Sequence, residues 1–176
     1  MKLLSDKNSR VLVNILGVPL ILHCIYYGDG GIIPFYSLFI GVVLFFALVE
    51  YRNLIIRHNG KILFLFLLCT ISCIQIIRFW YVSYYIGYSN MIDYIYAICV
   101  ISVIIILCLE IFRKSSKPTF NIMASIFGLF WIGIMLGTLS LIRGFGFEKT
   151  LIMFVAVWIT DTFAYGLGSQ FGKIKI

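Results

Sequence analysis

The sequence predicts an all-α fold: a polytopic transmembrane helical bundle of about six spans, with the N-terminus and C-terminus both cytoplasmic. Three observations predict it. Hydrophobic residues make up 62% of the 176 residues and charged residues only 12%, and mean hydropathy is +1.06. A soluble domain carries about 25% charged residues, and a core of this size could not hide so much apolar surface. The apolar runs are also continuous over the length a helix needs to cross hydrocarbon, where no water is present to satisfy loose backbone groups. The run from Ile92 to Leu109 has none of the alternation of a barrel strand. Finally, the basic residues fall on alternate sides of the predicted spans in a strongly unequal way.

The spans are expected at Val11–Tyr27, Ile33–Val49, Ile62–Trp80, Ile92–Phe112, Ile122–Ile142 and Leu151–Gly168, within one transmembrane domain covering residues 1–176. The basic segment Met1 to Arg10 precedes an apolar run with no small-x-small cleavage site after it, so it reads as the flank of an uncleaved first span. Pro19 falls inside that span, where it removes a ladder donor and predicts a kink. Pro34 suits the first turn of the second span. Between the third and fourth, Tyr81 to Tyr88 is rich in rings with polar tips and is expected as an interfacial loop at headgroup level.

With these spans, one side holds Lys2, Lys7, Arg10, Arg52, Arg57, Lys61, Arg113, Lys114, Lys117, Lys173 and Lys175. The other side holds Arg78, Arg143 and Lys149. The positive-inside rule puts the larger set in the cytoplasm, and a missed or invented span would spoil the split. The net charge of +7 is therefore distributed over basic loops, and it argues for a bilayer and against a nucleic-acid partner. The cysteines Cys24, Cys69, Cys73, Cys99 and Cys108 form no CxxC pair and are expected as small buried hydrophobes.

Few polar groups lie within the apolar runs. Asp161 is deep in the last span, where an ionised carboxylate costs about 3 kcal/mol unless paired or hydrated. Trp158, Asp161, Tyr165, Gly168 and Gly172 share one stripe at offsets of three and four, and Lys173 follows. A carboxylate for a divalent cation and a lysine for phosphate are what a nucleoside triphosphate site requires. The alternative reading of Asp161 is a carboxylate buried against a partner such as Tyr165 or an arginine. Glu110 precedes Arg113 and Lys114 by three and four residues and is expected to pair with them at the interface. Glu50 is expected to be solvated, and His23 and His58 lack any partner at metal-ligand spacing. The pairs Gly133/Gly137 and Gly168/Gly172 allow close helix approach, and a homodimer is left open.

The segment Trp158 to Lys173 resembles the W-x-x-D-x-x-A-Y-x-x-G-x-x-x-G-K segment of the phosphatidate cytidylyltransferases, the CDP-diacylglycerol synthases. Weaker similarities follow the family's order: Arg10 to Leu22, Ala47 to Leu54 with Glu50, and Pro118 to Arg143 with Asn121, Gly128, Trp131, Gly133 and Arg143. The resemblance implies a multi-pass protein of the cell inner (plasma) membrane that transfers CMP from CTP to phosphatidate. It further implies catalytic Asp161 bound to a divalent cation, Mg2+, with Lys173, Tyr165, Gly168 and Gly172 contacting substrate. The family pattern continues past Lys173 into a Ser-Pro-Lys-Lys-Thr-like loop, further spans and a signature rich in Lys, Asp, His and Gly. The expectation is accordingly an N-terminal portion that does not turn over CTP alone. Two other classes stay open on the residues themselves: a small transporter or channel with Asp161 as its ion site, and a non-catalytic scaffold.

Overall fold

A computed structural model describes residues 16–29, 34–84 and 88–171. Its elements are α1 (Leu16–Tyr27), α2 (Phe35–Arg57), α3 (Phe64–Tyr84), α4 (Tyr88–Phe112), α5 (Pro118–Gly128), α6 (Leu139–Ile142) and α7 (Phe147–Phe171). A π-helical segment, Leu129–Met135, and two 3-10 turns, Leu136–Thr138 and Arg143–Phe145, join α5 to α6 and continue to α7. There is no strand among the described residues. Four stretches are long and apolar enough to cross a membrane: Phe35–Arg57, Phe64–Val82, Asn90–Phe112 and Pro118–Phe145. The protein is an all-α membrane bundle.

Each helix turns a narrow stripe inward and leaves the remaining faces to lipid. In α2 the stripe is Tyr36, Ile40, Leu44 and Leu48, at successive intervals of four. In α3 it is Leu67, Ile71, Ile74 and Arg78, and in α4 Cys99, Ser102, Ile106 and Glu110. Large apolar side chains such as Leu65 and Phe112 remain exposed, as hydrocarbon solvation permits. Cys69, Cys73 and Cys108 also lie on this outer surface, and only Cys24 and Cys99 are buried. The expectation that all five are interior is corrected: a thiol is apolar enough to face lipid.

The ends of α2 are fixed locally. Pro34 stands at the N-cap position, one residue before the helix, and the Asp29 carboxylate accepts from the Ser37 N–H at 2.9 Å and the Ser37 hydroxyl at 2.7 Å. At the other end Asn59 takes a left-handed φ of 58°. The Gly60 N–H donates to the Ile55 carbonyl at 3.0 Å and the Asn59 N–H to the Ile56 carbonyl at 2.9 Å, which is a Schellman closure. A Cβ on Gly60 would run into the Phe120 ring, so the glycine lets this turn sit against α5.

The fifth span departs most from regular geometry. One uninterrupted helix over Ile122–Ile142 is expected, yet winding changes from α to π to 3-10 and back. The cause is a group on α3. Arg78 is 2% exposed, and its guanidinium donates to the Gly133 carbonyl at 2.8 Å and the Ile134 carbonyl at 3.1 Å. An inserted side chain of this kind is a recognised origin of a break in the helical ladder. Further side chains serve the same region: Thr138 to the Met135 carbonyl at 2.6 Å, Ser140 to Gly137 at 2.8 Å, and Tyr36 of α2 to Leu139 at 2.8 Å. Gly133 and Gly137 face α3 within the same chain, against Ile71 and Arg78. Arg78 is thus an interior residue and not the outer-side cation that the charge count takes it for.

The other boundaries shift in explicable ways. The second span runs on to Arg57 because its last turns carry long side chains whose charged heads can reach the headgroups. Residues 81–84, expected in a loop, form the last turn of α3; residues 85–87 lie outside the described residues, as does the beginning of the first span. A Cβ at position 137 would collide with the Arg78 guanidinium, and the two carbonyl bonds stop that group from moving aside. We therefore expect Gly137→Val to destabilise the bundle by about 1–3 kcal/mol, as overpacking does. Thermal unfolding in detergent would measure it, and much of the penalty should vanish in an Arg78→Met background.

Candidate functional site

Helix α7 carries the residues singled out in the sequence. It starts after Gly146, whose φ of 110° permits the reversal. Thr150, fully buried, ties the start down by donating to the Gly146 carbonyl at 2.9 Å and to the Ile142 carbonyl at 3.4 Å. Phe154 packs against the core, and its ring lies 6.2 Å from that of Trp158. Beyond this point most side chains of the helix are exposed.

Asp161 is among them. It is exposed on the bundle surface and, among the described residues, takes part in no hydrogen bond or ion pair. The neighbouring threonines are already satisfied: Thr160 donates to the Ala156 carbonyl at 2.8 Å and Thr162 to the Trp158 carbonyl at 2.7 Å. The threonine hydroxyl protons are thus turned to the helix's own carbonyls and away from the carboxylate. Tyr165 and Gly168 follow on the same helix and by register on the same stripe. Nothing lies within 4 Å of a Cβ built on Gly168, leaving backbone accessible. Gly172 and Lys173 lie outside the described residues.

Glu110 has the opposite environment. It is 3% exposed, and its Oε1 accepts from Ser115 Oγ at 2.6 Å and Asn121 Nδ2 at 2.7 Å. Its Oε2 pairs with Arg113 at 3.4 Å. Asn121 also accepts from the Lys61 N–H at 2.8 Å, so one amide fastens the end of α4 to the α2–α3 turn. The expected Glu110–Arg113 pair is present and is part of a larger knot. Asn121 was visible in the sequence as a polar residue in an apolar run, but its partners are 11 and 60 residues away and no local spacing announces them. Glu50 is exposed, as expected. The His23 ring lies tilted against that of Tyr27, with centroids 4.4 Å apart, and His58 caps α2.

Among the described residues no three His, Cys, Asp or Glu side chains converge. A divalent cation of the Mg2+ kind is often held by one or two carboxylates, with substrate phosphates and water completing its shell. Asp161, accessible and unpaired among the described residues, suits the protein's share of that arrangement. Glu110, with its oxygens already engaged, does not.

A family model described as "Cytidylyltransferase family" matches residues 8–176, and so includes α1 to α7 and the segment after them. No curated protein and no solved structure gives a match.

The two carboxylates should respond differently to substitution. Asn121→Leu strips one donor from a buried acid and the acceptor from the Lys61 N–H and is expected to cost about 1–3 kcal/mol, seen as a lower unfolding temperature in detergent. Asp161→Asn removes no contact found among the described residues and is expected to leave that temperature unchanged.

Proposed function

The chain belongs to the cytidylyltransferase family, and from that premise we propose that it serves CTP-dependent cytidylyl transfer to phosphatidate in phospholipid biosynthesis. In this reaction an oxygen of the phosphatidate phosphate attacks the α-phosphorus of CTP. The bond to the β-phosphate oxygen breaks, giving CDP-diacylglycerol and pyrophosphate. Both reactants are polyanions, so the site must offset negative charge and hold attacking and leaving oxygens in line.

The observation that carries this reading is Asp161 itself: a carboxylate midway along α7, exposed, unpaired among the described residues, and followed on its stripe by Gly168, where a ligand can approach the backbone. Asp161 would hold the divalent cation, which when bound neutralises phosphate charge. Tyr165 and Gly168 would line the approach, and Gly172 and Lys173 would meet the phosphates beyond it. A lysine is well suited to that role as a compact point charge with three donors. The preponderance of basic residues on the side that includes Arg52, Lys61 and Arg113 orients that side toward the cytosol, where CTP is found. The lipid substrate would enter laterally from the bilayer of the cell's inner, or plasma, membrane.

The reading predicts that membranes containing the protein in its full length convert labelled CTP and phosphatidate into CDP-diacylglycerol, whereas residues 1–176 alone do not. Asp161→Asn should lower that rate by about 100-fold or more with the inserted amount unchanged. Turnover at the wild-type rate in the variant would return Asp161 to a structural role, and product formed only from another acceptor lipid would reassign the substrate.

A further inference from the structure

The basic end of the bundle holds a second feature, away from α7. Three cations from three separate segments line one pocket of about 550 Å³: Arg52 from the last turns of α2, Lys61 from the α2–α3 turn, and Arg113 just after α4. We propose that this pocket binds the phosphate headgroup of an anionic phospholipid.

Charge is the first argument. Arg113 donates to the Lys61 carbonyl at 3.0 Å and pairs with Glu110 at 3.4 Å. Glu110 is already engaged by Ser115 and Asn121 and has little left to offset a second cation. The Arg52 guanidinium lies 5.1 Å from the centre of the Phe64 ring, a contact that fixes its direction while leaving its donors open. Lys61 is exposed, and its ammonium has no acidic partner among the described residues. Arg57, Lys114 and Lys117 add further positive charge at the same end. Three cations held together with one committed acid repel each other, and a phosphate is the chemistry that relieves the repulsion. Arginine in particular binds it through paired donors. The start of α3 at Phe64 brings the positive end of a 21-residue helix to the same wall.

Position decides for a lipid. A second cavity of about 850 Å³ shares Arg52, Phe64 and Arg113 with the first and continues over Leu65, Leu109 and Phe112. Leu65 and Phe112 are 74% and 83% exposed, as apolar side chains at the ends of spanning helices are when lipid solvates them. Cationic and apolar halves are therefore continuous, and the junction lies where α2 and α4 end. An amphiphile with an anionic head fits both halves, whereas a soluble anion would use only the first. Basic pockets between spanning helices commonly hold anionic lipids in this manner.

The proposal does not rest on cytidylyl transfer, and its test avoids turnover. Native mass spectrometry of the detergent-solubilised protein would compare retention of phosphatidylglycerol with phosphatidylcholine, and with CTP and inorganic phosphate as competitors. Phosphatidylglycerol carries a phosphodiester and is no acceptor for CMP, so it reports this pocket without the α7 site. Phosphatidylglycerol should be retained about tenfold better than phosphatidylcholine, and the Arg52→Gln/Lys61→Gln variant should lose most of that preference. Both side chains are exposed, and Lys61→Gln alone, which removes no side-chain contact among the described residues, should show a partial loss. Asp161→Asn should retain phosphatidylglycerol as the wild type does. Equal retention of both lipids, undiminished preference in the double variant, or displacement by CTP or inorganic phosphate at comparable concentration would overturn the proposal.

Discussion

The guanidinium of Arg78, bonded to two carbonyls of a neighbouring span, is the contact on which the arrangement of the bundle turns. Hydrocarbon supplies no water to a loose carbonyl, so a spanning helix that changes its winding must find donors within the protein. The span from Pro118 to Phe145 changes from α to π to 3-10 within a few residues, and side chains reach five of the carbonyls between Gly133 and Leu139. Arg78 makes two of these bonds from α3 and Tyr36 makes one from α2. The same bonds that satisfy the break thus hold three helices in register. Gly133 and Gly137 belong to this device, since only residues without a side chain leave α3 and the guanidinium room to approach.

Much of this was legible in the sequence, for physical reasons that also set its limits. Span positions are readable because hydrocarbon demands a run of apolar residues whatever the neighbours are, and the helices fall where those runs lie. The pairing of Glu110 with Arg113 is readable because helical spacing puts both on one face. Arg78 is different. Near the end of an apolar run, an arginine that snorkels to the interface and one that turns inward have the same local sequence. Which occurs depends on whether a partner helix presents open carbonyls and a glycine. Those carbonyls lie 55 and 56 residues away. Asn121 is hidden for the same reason, as its value lies in joining the α2–α3 turn to the end of α4.

The stripe on α7 is a third case. Its periodicity is visible in the sequence, as is the resemblance of its residues to a known motif. Whether the carboxylate is buried against a partner or left open is not, because both arrangements have the same spacing. The helix leaves the core after Phe154 and Trp158, and the described side chains beyond are exposed because no described element packs over them.

The contrast between Glu110 and Asp161 then bears on function. Both are carboxylates on helices rich in apolar residues, and ionisation in such surroundings is costly without compensation. For Glu110 the compensation is internal: two neutral donors and a guanidinium meet its oxygens, and the gain is a fastened helix end. For Asp161 no described side chain provides it, and the adjacent threonine hydroxyls turn back to their own helix. One acid is thus compensated fully, while the other has no described partner and shares its stripe with Gly168; under the function proposed above, that second acid is met from outside the bundle. A cation carried with a triphosphate is a group of the right charge, and membership of the cytidylyltransferase family supplies the reaction in which it would arrive.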